Sequence, residues 1–205
     1  MTAIRPQVQA GLLTIVAGMA DAIGYVAMGG VFAANMTGNT VLGGMALAQG
    51  DLALAAKRMA PLGTFFLGAM LARLLLRLVR KPAVPLLLEA IVLAVVGFLP
   101  IEREPALLLV ALAMGLQASA ITLFAGTAVS TVVVTSTLAR IAEAALDRCW
   151  PNRAPAPSVV MGPRLLALTW IGYLVGAVAG VLLIPVLPWP LLVPAALLVT
   201  VVATL

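Results

Sequence analysis

Long apolar runs separated by short polar or proline-containing breaks recur along the whole chain. They fall at about 9–29, 31–49, 60–79, 84–100, 105–125, 128–146, 163–186 and 188–205. Several match the roughly 20 residues that a helix needs to cross the hydrocarbon core of a bilayer. Two runs are unlike the rest. The second holds Asn35, Thr37 and Asn39 among glycines and alanines, and the sixth, "AVSTVVVTSTLARIAEAAL", carries Ser130, Thr131, Thr135, Ser136, Thr137, Arg140 and Glu143. Backbone that leaves helical geometry at membrane depth is tolerated only where protein or a wet cavity supplies its hydrogen bonds, so both runs are expected as broken or re-entrant elements. The pattern predicts an all-α, polytopic membrane helix bundle in one integral membrane domain, 1–205. It has six spans plus two broken or re-entrant segments, or eight spans if both interrupted segments cross.

The two odd runs occupy corresponding places. Sliding the chain against itself by 98 positions sets Thr37-Gly38-Asn39 on Thr135-Ser136-Thr137. It also sets the preceding Gly-rich span on "AMGLQASAITLFAGTA", and after a further shift of about ten "FFLGAMLARLLL" lies on "GYLVGAVAGVLL". An internal two-fold repeat with halves near 1–100 and 101–205 is expected. Paired interrupted segments in two such halves point to a binding site near the membrane midplane of a transporter-like fold. Six spans make the halves inverted, three each; eight make them parallel, four each. The six-span arrangement puts Arg77, Arg80 and Lys81 inside with Arg5, Arg148, Arg153 and Arg164, and the "EREP" loop outside, which suits the positive-inside rule slightly better.

Composition fits a bilayer and narrows the chemistry. Of 205 residues, 63% are hydrophobic and 9% charged, against about a quarter charged in soluble domains. The net charge of +5 does not point to nucleic acid, because the basic residues sit at the ends of apolar runs and no stacking aromatics are interleaved with them. Cys149 is the only cysteine and there is no histidine, so an intramolecular disulfide is excluded and neither a soft metal site nor a cofactor is expected. The first run is too long for a signal core and is interrupted by Asp21, so it reads as a retained span.

Polar residues inside such runs are the candidates for function. Asp21 lies near the middle or outer half of the first span, where an ionised carboxylate costs about 2.5–3.5 kcal/mol, so it should face the bundle interior with a donor nearby. It reads either as a proton, cation or substrate site or as a hydrogen-bonded structural carboxylate. Thr37, Gly38 and Asn39, with Asn35, read either as a break offering carbonyls and a helix N-terminus to a ligand or as close helix packing through small residues. Glu89, about a turn into the fourth run, is the second buried acid and reads either, with Asp21, as a candidate for proton coupling or as a side chain near a helix end that reaches the membrane interface. Gln117, Thr135 and Thr137 complete the expected solute- or ion-binding set.

The stretch "GMADAIGYVAMGGVFAANMTGNTVLGGMALAQGD", with the later "GLQASA" and "TSTLARIAEA", resembles the bacterial YoaK family of small membrane proteins, also called the DUF1275 family. The resemblance covers nearly the whole chain, and the spacing from Asp-Ala-Ile-Gly-Tyr to Met-Thr-Gly-Asn is specific to that family. Family members often carry Asn after the glutamine and Gly between the threonines of the later motif. This chain has Ala118 and Ser136 there, so the resemblance does not imply an equal role for the second half. It implies a multi-span protein of the bacterial inner membrane and no particular substrate. The expectation from the residues is a small permease with its N-terminus in the cytoplasm, surrounded by membrane lipids, able to form a homodimer, and acting on a small solute or ion. A membrane protein that binds lipid or assembles with partners without transporting is the second expectation. With no histidine, no cysteine nucleophile arrangement and no "GxSxG" elbow, an enzyme is not expected.

Overall fold

The structure, a computed structural model, describes residues 6–120 and 163–205, together with 123–124, 127–128, 138–139 and 142. Among the described residues there are seven full helices: α1 (Pro6–Ala27), α2 (Met36–Ala48), α3 (Leu52–Val79), α4 (Ala83–Phe98), α5 (Arg103–Ala120), α6 (Pro163–Leu183) and α7 (Leu192–Val202). A two-residue antiparallel pair, Leu123–Phe124 with Thr127–Ala128, follows α5. The expected helical membrane bundle is what forms. Three of its helices, α1, α3 and α6, are long and apolar enough to cross a membrane, and α4 and α7 are shorter apolar helices. Most of the sixth apolar run, including Thr135 and Thr137, lies outside the described residues.

Local chemistry sets where the first helices stop and start. Helix α1 ends where Gly29 and Gly30 take φ of 106° and 72°, a backbone region that side chains resist. The Gly30 N–H then closes the last turn on the Tyr25 carbonyl at 2.9 Å. Asn35 caps α2 by accepting from the Gly38 N–H at 2.9 Å, and Asp51 caps α3 by accepting from the Leu54 N–H at 2.9 Å.

Glycines bring the long helices together in two crossings built the same way. A Cβ at Gly18 would run into the Tyr173 carbonyl and the Ala177 nitrogen, and one at Gly176 into the Ile15 carbonyl, so α1 and α6 touch backbone to backbone. Between α3 and α5, a Cβ at Gly115 would run into the Phe65 carbonyl and the Ala69 nitrogen, and one at Gly68 into the Leu112 carbonyl. Small residues at a crossing allow this approach, which compensates by dispersion for the weak drive to associate in lipid. Contacts advance in step from Gly11 with Leu168 to Gly180 with Met19, so α1 and α6 are parallel. The Lys57–Glu104 ion pair and the glycine contacts make α3 and α5 parallel in the same way.

These contacts define two ends of the bundle. At one end Gln9 donates to Thr204, joining the start of α1 to the last residues of the chain. At the other, Gly29 lies beside Lys57, which pairs with Glu104 at the start of α5. Thus α1 finishes at the end where α3 begins, and α2 leaves and returns on one side. Packing on α3 holds α2, with Gly43 against Met59 and the Arg58 guanidinium donating to the Leu42 carbonyl at 3.2 Å. The core runs along α1 through Leu13, Val16, Ala17, Ala20 and Ile23, while Phe66, Leu67, Leu78, Val178 and Leu182 form an apolar exterior suited to lipid.

Single cysteines in a Cys149→Ala background test this course of the chain. Gln7→Cys and Lys81→Cys should react with a membrane-impermeant maleimide from the same side of the membrane, and Glu104→Cys from the other. If Gln7→Cys and Glu104→Cys share a side instead, α2 crosses the membrane.

Candidate functional site

Between α1 and α2 the chain is unwound from Met28 to Asn35 and folds back along α1. Asp21 lies six residues before the end of α1, about 9 Å along its axis, and is 3% exposed. Its Oδ1 accepts from the Ala34 N–H at 2.5 Å and from the Asn35 N–H at 3.1 Å. Its Oδ2 accepts a short hydrogen bond from the Tyr173 hydroxyl of α6. One carboxyl group thereby ties α1, the unwound segment and α6 together. Hydrogen bonds to a charged acceptor are shorter and roughly twice as strong as neutral ones, and here they satisfy main-chain groups for which no helical partner is left.

Asn39, fully buried on α2, does for the middle of the segment what Asp21 does for its end. Its Oδ1 accepts from the Phe32 N–H at 2.9 Å and its Nδ2 donates to the Phe32 carbonyl at 2.8 Å, the pairing of a two-stranded ladder made by one side chain. The Phe32 ring stacks on Tyr25 with centroids 4.7 Å apart and covers Gly38. A Cβ at Gly38 would stand 2.9 Å from that ring and from the Asn35 amide nitrogen, so only glycine fits.

The structure therefore brings Asp21, Asn35, Gly38 and Asn39 together around the break. Of the other expected residues, Thr135 and Thr137 lie outside the described residues, and Thr37, Gln117 and Glu89 stand apart from the break. Thr37 is exposed, on the far side of α2. Gln117, 1% exposed, donates from Nε2 to the Leu13 carbonyl at 3.0 Å, eight residues and about 12 Å along α1 from Asp21. Glu89 is fully buried on α4, which packs against α3, α5 and α7. Both its carboxyl oxygens lack a hydrogen-bond partner among the described residues. Tyr173 was not among the expected site residues, although a hydroxyl inside the apolar run "GYLVGAVAGVLL" was the available signal. Among the described residues no group of His, Cys, Asp and Glu could hold a metal ion.

The chain matches the family model described as "Protein of unknown function (DUF1275)" over residues 9–204. It belongs to the DUF1275 family. It is 32% identical over 178 residues to the "UPF0700 transmembrane protein YoaK" of Bacillus subtilis (strain 168), covering 82% of this chain and 79% of that protein. No solved structure matches it. As expected from its apolar runs, this DUF1275 chain is a membrane protein.

The hydrogen bonds rank the effects of substitution at the break. Asp21→Ala orphans the buried Ala34 N–H and the partly buried Asn35 N–H and Tyr173 hydroxyl, at up to about 1–3 kcal/mol each, and should lower the melting midpoint in detergent most. Asp21→Asn keeps an oxygen for Ala34 and Asn35, so it should melt later than Asp21→Ala. Tyr173→Phe, which removes one donor, should also fall between native and Asp21→Ala. Gly38→Ala, which presses on Phe32, should cost about 1–3 kcal/mol. Differential scanning fluorimetry of the four purified variants checks the order.

Proposed function

We propose that this chain is a small permease of the bacterial inner membrane, moving a small solute or ion past a site near the midplane where the helices are interrupted. The observation that carries this reading is the unwound segment Met28–Asn35, which lies beside α1 with Met28, Val31, Ala33 and Ala34 buried and is held there by Asp21 and Asn39. Interrupted main chain at membrane depth is tolerated where it is buried in protein or lines a cavity, and in transporters it carries the substrate contacts.

An inverted repeat supports the same reading. The α1–α6 and α3–α5 crossings exchange when the first half is laid on the second, with Gly18 answering to Gly115, Ile15 to Leu112, Phe65 to Tyr173, Gly68 to Gly176 and Ala69 to Ala177. Buried positions of α4 and α7 also correspond: Leu86 with Leu191, Glu89 with Pro194, Ala90 with Ala195, Leu93 with Leu198 and Val96 with Val201. Residues 1–100 and 101–205 are then halves of three spans each, running in opposite directions, six spans in all. Arg77, Arg80, Lys81 and Arg164 gather at the end where α1 starts, so that end and the N-terminus face the cytoplasm by the positive-inside rule.

The second reading is a non-transporting membrane protein that binds lipid or assembles with partners, including a second copy of itself. It is favoured by one observation. The carboxyl and carboxamide groups of Asp21 and Asn39 bond to Ala34, Asn35, Tyr173 and Phe32 of this same chain, as a scaffold requires.

Thermal stabilisation of the purified protein by small cations, amines, sugars and carboxylates, followed by flux of each stabilising compound into proteoliposomes, separates the two readings. A ligand of the folded state raises the midpoint in proportion to its occupancy. A permease should show a saturable shift and saturable uptake of the same compound. Stabilisation by phospholipid alone, with no uptake of any compound, overturns the permease reading.

A further inference from the structure

We propose that Glu89 is a proton-exchanging carboxyl in the core of the membrane domain, and that it couples the permease to protons. Only the coupling role rests on the permease reading.

Glu89 lies near the middle of the 16-residue α4, on the face that carries Leu86, Ala90 and Leu93 into the core. Its side chain is fully buried, and neither oxygen meets a hydrogen-bond partner among the described residues. Asp21, equally deep, has three donors. The two buried acids therefore differ in kind. Asp21 is a tied group of the scaffold, and Glu89 is an untied one.

Packing does not account for the carboxyl. The buried face of α7 has the same spacing and places Pro194 where α4 has Glu89, between Leu191 and Ala195, with no polar side chain buried on it. Nor is there a counter-charge among the described residues. Of the helices packed against α4, α3 carries Lys57, Arg73 and Arg77 on its exposed surface and Arg58 bonded to Leu42. Helix α5 carries exposed Arg103 and Glu104, and α7 carries no charged side chain. The adjoining turns contribute exposed Arg80, Lys81 and Glu102.

An ionised carboxylate in such surroundings is costly and is retained chiefly where it serves an ion or proton path. A metal ion needs several oxygen ligands, about six for magnesium and six to eight for calcium, and among the described residues no group of His, Cys, Asp and Glu could hold one. A proton needs one lone pair. The ligand that fits Glu89 is a proton, taken up and released when the bundle moves to admit water from one side or the other.

Dicyclohexylcarbodiimide, which reacts with protonated carboxyl groups in apolar surroundings, tests this on the intact protein in proteoliposomes, with peptide mass spectrometry locating the adduct. Glu89 should be modified, Asp21 should not, and the rate should fall about tenfold per pH unit once Glu89 titrates. Glu89→Gln should lose the adduct. Glu89→Asp should keep it and its pH dependence, which guards against a Gln variant that fails to fold. No adduct at Glu89, or an adduct whose rate does not change from mildly acidic to mildly alkaline buffer, overturns the proposal. Flux separates the two proposals. A pH-dependent adduct in a protein that moves no solute leaves the proton site standing and removes the permease. Solute uptake by Glu89→Gln with an unchanged response to an imposed pH gradient leaves the permease and removes the coupling.

Discussion

Away from water, a main-chain N–H without a partner costs several kcal/mol, and a chain that leaves helical geometry there must bring its own acceptors. Here the Asp21 carboxylate is that acceptor. It binds the N–H groups of Ala34 and Asn35 and is itself oriented by Tyr173, while Asn39 completes the Phe32 main chain. With those groups satisfied, the chain can turn at Gly29 and Gly30, descend beside α1 and start α2 at Asn35. The return of α2 to the end where α1 finished follows from this turn, so α3 runs back along the bundle in the direction opposite to α1.

Glycine does for the helix pairs what Asp21 does for the break. Gly18 and Gly176 on one crossing, and Gly68 and Gly115 on the other, remove the side chains that would hold the backbones apart. Two close crossings of matched construction leave α4 and α7 to cover the remaining faces with the same spacing of buried residues. Against that regularity Glu89 stands out as a carboxyl in a place where the matching helix carries proline.

Much of this was legible in the residues. An acid inside an apolar run needs donors, and the "MTGN" cluster was the nearest source of them, so the pairing of Asp21 with the interrupted segment could be expected. The identity of the donors could not. They are the main-chain N–H groups of Ala34 and Asn35 and the hydroxyl of Tyr173, which is 152 positions away, and none has a side-chain pattern that announces it. Thr37 and Gln117 were grouped with Asp21 because polarity in an apolar run attracts notice. Helix phase turns Thr37 outward, and depth along α1 separates Gln117 from Asp21. Polarity identifies residues that need partners but carries no information about azimuth or depth.

By itself, then, the sequence determined the solvent, the helical class and the existence of a break. These depend on hydrophobicity summed over runs of residues and on local glycine and asparagine chemistry, both of which are written position by position. Only the tertiary structure decided which groups satisfy that break, which helices cross through their glycines, and which of two buried acids has no partner among the described residues. Each of these depends on where distant segments lie relative to one another. Asp21 and Glu89 are both lone acids in apolar runs, and a tyrosine from α6 and two folded-back N–H groups make the difference between them.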